Sequence, residues 1–247
     1  MTGKVYLVGG GPGDPDLITV KGLELLRIAD VVLYDRLASP QLLNETRETA
    51  ELILVGKALG HHVFTQAEIN DLLVEKARAG KKVVRLKGGD PFIFGHGGEE
   101  CQALAEAGIP FEVVPGISSS YAVPAYAGIP LTHRDHASQF TVVTGRDADD
   151  GLPDWENLPR RGTLVFLMGV TRLAEIAAGL QAHGWAPETP AAVIHRGTTA
   201  EQRVVYGSLD QIAVQAAGLR PPSIIVVGEV VALGPFLHWF EPETAFS

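Results

Sequence analysis

The sequence is poor in the residues that mark disulfide-rich, membrane and nucleic-acid-binding proteins. It has one cysteine, Cys101, which excludes an internal disulfide. No apolar run approaches the roughly 20 residues of a membrane-spanning helix, and the start MTGKVYLVGG has too short an apolar stretch for a signal peptide. The net charge of −9 disfavours a nucleic-acid-binding surface, which normally needs a basic stripe. We therefore expect a soluble cytoplasmic protein with neither a membrane nor a nucleic-acid partner.

Common metal and nucleotide motifs are also missing. The sequence contains no HExxH, no CxxC and no GxxxxGK[ST]. His61 and His62 are adjacent, so a regular strand would point the two rings to opposite faces and away from one metal ion. We expect no metal cofactor.

The sequence has ample material for buried cores, because 46% of its residues are hydrophobic. Short β-branched runs alternate with helical patterns, which is typical of an α/β fold with a mainly parallel sheet. In the first half, strands are predicted near 4–8, 31–35, 51–55, 83–87 and 111–114, and helices near 17–29, 66–79 and 98–107. Thr65 and Glu68 form the sequence pattern of a capping box at the start of the second helix.

A second set of elements follows a helix-plus-loop region at 115–138. Strands are predicted near 139–144, 163–168, 191–196, 202–207 and 223–228, and helices near 170–183 and 209–217. The short link RGTTAE favours an antiparallel hairpin and hence a mixed sheet. We predict two α/β domains, residues 1–116 with a mainly parallel sheet and residues 117–247 with a mixed sheet.

The first glycine-rich turn, VGGGPGDPDLIT at residues 8–19, is similar to a dinucleotide-binding fingerprint but departs from it in detail. Asp14 and Asp16 stand where the last glycine is required, and they would repel a phosphate at a helix start. Pro12 removes a backbone N–H that could contact a pyrophosphate. The turn therefore favours a ligand without phosphate.

The second glycine-rich turn, RLKGGDPFIFGHGGEE, covers residues 85–100. Gly88 and Gly89 follow a predicted strand and can expose backbone amides to a ligand. The carboxylate of Asp90 could accept hydrogen bonds from an ammonium or a ribose hydroxyl, or it could close an Asx turn on its own backbone. The sequence alone supports both interpretations equally.

Eight segments in order resemble the tetrapyrrole methylases: VGGGPGDPDLITVKG, VVLYDRL, VGK, RLKGGDPFIFG, YAGIPLTHRD, FTVVTG, TLVFLMG and HRGTTAEQRVV. The match spans roughly residues 3–232, and its combination of segments is most similar to members that methylate uroporphyrinogen III. The resemblance implies the two-domain fold of the family, with a ligand cleft between the domains, and a homodimer. It also implies S-adenosylmethionine as methyl donor and S-adenosylhomocysteine as product. The implied reaction is methylation of uroporphyrinogen III at carbons 2 and 7 to precorrin-2, on the route to sirohaem and cobalamin.

The resemblance also implies roles for individual residues. Matching positions assign cofactor binding to a set at strand ends and turns: Pro12, Gly88, Gly89, Asp90, Ile93, Ser118, Ser119, Met168 and Gly197. Asp35 and Lys57 match positions with acid/base roles. The substrate is a polycarboxylate, so basic residues in loops are its candidate contacts: Arg36, Lys57, His61, His62, Arg134 and Arg146.

Two positions depart from the family pattern. His96 replaces the arginine of FGRGGEE, which would weaken an anion contact or make it pH-dependent, and Ser118-Ser119 stands where many relatives have Thr-Ala. No fused dehydrogenase-ferrochelatase region is expected. The alternatives are another precorrin methyltransferase, a methylase of ribosomal RNA or elongation factors, and a non-catalytic adenosyl-ligand sensor. The acidic net charge disfavours RNA, and the YDRL–VGK pair disfavours the other methylases.

Overall fold

The computed structural model of the protein describes residues 2–56, 64–146 and 151–241. The chain divides into two compact units between Ser118 and Ser119, two residues beyond the division predicted near 116. Each unit is built on a five-stranded sheet with helices, as the alternating sequence pattern predicts. The predicted α/β class with one parallel and one mixed sheet is confirmed. No helix in the described part of the chain is long and apolar enough to cross a membrane.

The first unit alternates strands and helices. Its elements are β1 (Lys4–Gly9), α1 (Val20–Ile28), β2 (Val31–Tyr34), α2 (Pro40–Leu43), β3 (Glu51–Leu54), α3 (Gln66–Arg78), β4 (Lys82–Lys87), α4 (Gly97–Glu106) and β5 (Phe111–Val114). All neighbouring strands pair in parallel, in the order β3-β2-β4-β1-β5. Apolar cores cover both faces of this sheet, which explains why its strands read as nearly continuous hydrophobic runs.

Local capping explains where two helices of the first unit begin. Thr19 accepts a hydrogen bond from the Gly22 amide, so α1 begins at Val20 and not at the predicted residue 17. The predicted capping box of Thr65 and Glu68 is present at the start of α3. The short helix α2 was not predicted, because it has only one turn and no amphipathic period to reveal it.

The second unit contains a helix at its start and a mixed sheet. Its elements are α5 (Ser119–Tyr126), β6 (Phe140–Thr144), β7 (Thr163–Leu167), α6 (Leu173–Ala182), β8 (Pro190–His195), β9 (Arg203–Ser208), α7 (Ile212–Gln215), β10 (Ser223–Val227) and α8 (Gly234–Leu237). The strand order is β6-β7-β10-β8-β9, and the predicted hairpin of β8 and β9 is confirmed as antiparallel. The predicted helix at 209–217 shrinks to the four residues of α7.

Candidate functional site

The first candidate surface lies at one edge of the parallel sheet. Because all five strands run in the same direction, the loops that follow them meet at their carboxyl edge, where open α/β sheets bind ligands. These loops carry most of the first-unit residues predicted to be functional: Pro12 after β1, Asp35 and Arg36 after β2, Gly88, Gly89, Asp90 and Ile93 after β4, and Ser118 after β5.

Three glycines at this edge bring backbone against backbone; we call Gly9, Gly89 and Gly116 the glycine junction. A Cβ atom added to Gly116 would lie 2.2 Å from the carbonyl oxygen of Gly89 and 2.7 Å from the Cα of Gly9. Gly89 has a φ of +67°, which favours glycine. The three loops therefore pack backbone against backbone at this edge, and the Gly89 amide donates a hydrogen bond to the carbonyl of Gly11 at 2.7 Å.

The carboxylate of Asp90 joins two of the same loops. Its Oδ1 accepts a hydrogen bond from the Phe92 amide at 2.8 Å, and its Oδ2 accepts one from the Gly116 amide at 2.9 Å. The Asx-turn interpretation is therefore correct for one oxygen, while the other crosslinks the β4 and β5 loops. A carboxylate oxygen has two lone pairs, so a ligand contact to Asp90 is compatible with both bonds and stays a prediction.

The loop after Asp90 exposes a short apolar surface. Phe92, Ile93 and Phe94 are 57%, 43% and 46% exposed, although side chains of this size are normally buried. Phe94 and His96 also have φ of +52° and +56°, a conformation that strains residues other than glycine. Exposed apolar groups and backbone strain in one loop are typical of a ligand-binding site. Sequence reasoning identified Ile93 but did not single out the two phenylalanines.

His96 occupies the residue before α4 and faces the first turn of that helix. Its Nδ1 lies 2.9 Å from Oε1 of Glu99, and this partner holds the pKa of the Glu99 carboxyl below its usual value. Both side chains are exposed. The departure from the family's arginine therefore places a titratable group next to a carboxylate on this loop.

Asp35 directly follows β2, and backbone amides of the same loop hold its carboxylate. Its Oδ1 accepts hydrogen bonds from the amides of Leu37 and Ala38, at 3.0 and 3.2 Å. Its Oδ2 lies 3.8 Å from Nη1 of the buried Arg85. Arg36 is exposed next to it. The other residues predicted near this strand end, Lys57, His61 and His62, lie outside the described residues.

Behind Asp35 lies a buried ionic group that the sequence analysis did not identify; we call Arg85, Lys87 and Glu100 the buried ionic cluster. Arg85 Nε and Lys87 Nζ donate to the same oxygen, Oε1 of Glu100, at 3.0 and 2.8 Å. Glu100 is fully buried, and the other two side chains are almost so. Burial, and secondly the charge of Arg85, lower the pKa of Lys87. The signal in the sequence was the pair of basic residues in RLK, because a strand that is buried on both faces normally carries apolar side chains.

Strained residues also mark one edge of the second sheet. Met168 follows β7 with a φ of +57° and is 52% exposed, and Arg196 and Thr198, with φ of +46° and +68°, flank Gly197 after β8. Both strands are antiparallel to β10, so their carboxyl ends share an edge. Arg146 lies at the same edge, because it follows β6, which runs parallel to β7. The guanidinium of Arg146 donates a hydrogen bond to the Thr171 hydroxyl at 3.1 Å. The structure thus groups Met168, Gly197 and Arg146.

The loop that holds Gly197 is attached to α5, the helix that begins with Ser119. A Cβ on Gly197 would lie 2.3 Å from a methyl group of Val123, so only glycine permits this contact. Gln202 accepts a hydrogen bond from the Thr198 amide and donates one to the carbonyl of Tyr126, at 2.8 and 3.0 Å. The loop and the helix are therefore positioned together.

Arg134 and Ser118 are placed differently from the other predicted residues. Arg134 is exposed in the turn that His133 and Ala137 close, next to the amino end of β7, where Thr163 donates to the carbonyl of Leu131. This is the edge opposite Met168 and Arg146.

Ser118 is buried, with 2% exposure, although it was predicted to contact the cofactor. Neither role is tested by these positions, and both stay predictions.

No group of three or more His, Cys, Asp or Glu side chains that could hold a metal ion occurs within residues 2–56, 64–146 and 151–241.

Comparison with protein families gives a match over most of the chain. Residues 4–213 match the family of Tetrapyrrole (Corrin/Porphyrin) Methylases. A siroheme synthase of Edwardsiella ictaluri is 53% identical over 244 residues, which cover 98% of this chain and 53% of that protein. A siroheme synthase of Tolumonas auensis is 54% identical over 245 residues, which cover 98% of this chain and 52% of that protein. The chain thus spans about half the length of these siroheme synthases.

Solved structures agree with the family match. The uroporphyrin-III C-methyl transferase of Thermus thermophilus, complexed with S-adenosylhomocysteine, is 44% identical, with a TM-score of 0.83 over 94% of this chain and 100% of that one. A cobalt precorrin-4 methyltransferase is 31% identical, with a TM-score of 0.81 over 92% of this chain and 95% of that one.

Proposed function

The chain belongs to the tetrapyrrole methylase family, and on that premise we propose that it transfers methyl groups from S-adenosylmethionine to uroporphyrinogen III. The product is precorrin-2, methylated at carbons 2 and 7, which feeds the sirohaem and cobalamin routes. The support is the likeness to the Thermus enzyme, which covers all of that chain, together with the siroheme synthases.

The observation that carries the proposal is the glycine junction. S-adenosylmethionine supplies an electrophilic methyl group when bound, and its adenosyl and amino acid parts carry no phosphate. The junction packs three loops backbone against backbone beside the carboxylate of Asp90, and a carboxylate suits the ammonium and ribose hydroxyls of such a ligand better than it suits an anion. The residues proposed to hold the donor are Pro12, Gly88, Gly89, Asp90, Ile93, Ser118, Ser119, Met168 and Gly197.

The reaction requires little conventional activation from the protein. A pyrrole ring of uroporphyrinogen is electron-rich and behaves as an enamine, so a ring carbon forms the new C–C bond while the S–CH₃ bond breaks. The protein must align the two reactants, which can contribute several kcal/mol. It must also accept the proton that the ring loses as it rearranges. Asp35 is the proposed acceptor, with Lys57 as its partner in acid/base chemistry.

Basic side chains supply contacts for the carboxylates of the substrate. Arg36 follows Asp35 directly and is exposed, and Arg146 shares an edge with Met168. Phe92 and Phe94 add exposed apolar area that suits the faces of the pyrrole rings. His61, His62 and Arg134 complete the proposed set of substrate contacts.

We also propose that the protein is a homodimer and works in the cytoplasm. Light scattering coupled to size-exclusion chromatography should give twice the chain mass, and cell fractionation should recover the protein with soluble enzymes.

Two aspartates on either side of β2 provide a matched test. Asp35→Asn should lower the turnover number by about 10²- to 10⁴-fold, as expected for loss of a positioned proton acceptor. Asp30 precedes the same strand and is ion-paired with Arg47 at 2.6 Å, so Asp30→Asn should affect stability and leave turnover intact. Equal turnover in the two variants would contradict the role of Asp35.

The second candidate is a later step of the cobalamin route, suggested by the likeness to the cobalt precorrin-4 methyltransferase. Incubation with methyl-labelled donor and either uroporphyrinogen III or a later precorrin separates the two functions. We expect label in the tetrapyrrole only with uroporphyrinogen III, whereas label only in the later precorrin would favour the second candidate.

A further inference from the structure

The buried ionic cluster connects two parts of the candidate site. Arg85 and Lys87 lie two residues apart on β4, so both side chains project from the same face of the sheet, towards α3 and α4. Glu100 stands in the first turn of α4, and Gln66, the first residue of α3, adds a hydrogen bond to its Oε1 at 3.4 Å. The cluster therefore joins the strand that precedes Gly88–Asp90 to the helix that follows the apolar loop.

The charges of this group balance only when Asp35 is counted. Arg85 and Lys87 carry two potential positive charges against one negative charge on Glu100. Asp35, whose Oδ2 lies 3.8 Å from Arg85, supplies the second negative charge. Tyr34 of β2 pairs with Leu86 of β4, so the residues that follow them, Asp35 and Lys87, lie side by side. The Asp35 carboxylate therefore lies at the solvent-facing end of the group.

Stability alone does not explain why these charges are buried. A buried ion pair often contributes less than apolar residues of similar volume, because desolvation offsets its Coulomb energy. The arrangement also leaves Oε2 of Glu100 buried without a hydrogen-bond partner among the residues that the structure describes. Such an oxygen costs about 1–3 kcal/mol. A cluster that is costly in this way and lies directly behind a proposed proton acceptor indicates a functional purpose.

We propose that Arg85, held by Glu100, is a positioning residue that orients the carboxylate of Asp35 for the methyl-transfer reaction. This inference rests on the proposed function. Glu100 fixes Nε of Arg85, and the carbonyl of Leu86 accepts a hydrogen bond from Nη1 at 3.1 Å. The guanidinium is therefore held from two sides next to Asp35. Lys87 completes the group by sharing Oε1 of Glu100.

A double-mutant cycle tests this role through the kinetics. Arg85→Lys keeps the positive charge but loses the planar fork of donors, so it should lower kcat by roughly 10- to 100-fold, the effect of a misplacement near 1 Å. KM for S-adenosylmethionine should change by less than about twofold. In the Asp35→Asn background, Arg85→Lys should lower kcat no further, because its effect passes through Asp35.

Two further variants guard the result against an indirect effect. Glu100→Gln preserves the shape of the side chain and should lower kcat as Arg85→Lys does. In the Asp35→Asn background it should likewise lower kcat no further. Glu100→Gln takes the place of Arg85→Lys if the latter variant does not fold. Arg47→Lys alters a cation that bonds Asp30 and the carbonyl of Ala29 at the opposite end of β2, and it should keep wild-type kcat. Thermal melts of every variant confirm that each is folded at the assay temperature.

The outcomes separate the inference from the function on which it rests. Multiplicative losses of kcat in the double variant would overturn the positioning role while methyl transfer by the wild type stands. A change confined to KM for the donor would overturn it as well. A folded wild-type protein that transfers no methyl group to uroporphyrinogen III would refute the proposed function and, with it, this inference.

Discussion

Substitution of Gly116 by alanine should disrupt the donor site. The added Cβ would lie 2.2 Å from the Gly89 carbonyl oxygen and 2.7 Å from the Cα of Gly9, against atoms that belong to the backbone and cannot rotate away. The loops must separate by about 1 Å, and such overpacking typically costs about 1–3 kcal/mol. The same movement strains the bond from the Gly116 amide to Asp90.

Gly98 offers a matched control in the same unit. A Cβ added there meets no atom within 4 Å, and the residue lies in the first turn of α4, so alanine should leave stability unchanged or raise it by up to about 1 kcal/mol. Urea denaturation measures the stability of both variants, and calorimetric titration with S-adenosylhomocysteine measures affinity. We expect Gly116→Ala to lose at least about tenfold in affinity, or 1.4 kcal/mol. Wild-type affinity and stability in Gly116→Ala would refute the role of the glycine junction.

Substitutions at three further positions test individual contacts. Asp90→Ala removes the acceptor of two backbone amides and should lower the free energy of unfolding by about 1–3 kcal/mol in urea denaturation, with Asp90→Asn between it and the wild type. His96→Arg should lower KM for the tetrapyrrole, because a guanidinium offers more donors to a carboxylate than an imidazole does, whereas an unchanged KM would make His96 irrelevant to the substrate. Lys21 and Lys4 lower the pKa of Glu112 to about 2, so its stabilising effect is present above the ordinary value of 4.5 and is lost as pH falls from there towards 2. The Tm difference between wild type and Glu112→Gln should shrink over that range, and a constant difference would contradict the assignment.

Most of the fold could be predicted from the sequence because local signals agree with it. Alternating strand and helix patterns predict the α/β class, and the short RGTTAE link predicts the β8–β9 hairpin. The capping box at Thr65 places the start of α3 correctly. One-turn helices such as α2 and α8 escaped prediction, because they are too short to show a helical period.

The site could be predicted only where glycines and a polar side chain directly follow a predicted strand. Gly89 and Asp90 stand out because a strand runs into them. Their contact with Gly9 and Gly116 depends on the order in which distant strands pair, and no local pattern contains that order. The partners of Glu100 were missed for the same reason, since a helix residue must meet two strand residues that are 13 and 15 positions away.

Analysis of the product is the most direct test of the central claim. The purified chain, incubated anaerobically with uroporphyrinogen III and S-adenosylmethionine labelled with carbon-13 in the methyl group, should give a tetrapyrrole that mass spectrometry shows to carry two added methyl groups. Carbon-13 NMR should then locate both labels on ring carbons 2 and 7. A product without label, or with a single methyl group at another position after the donor is in excess, would contradict the account.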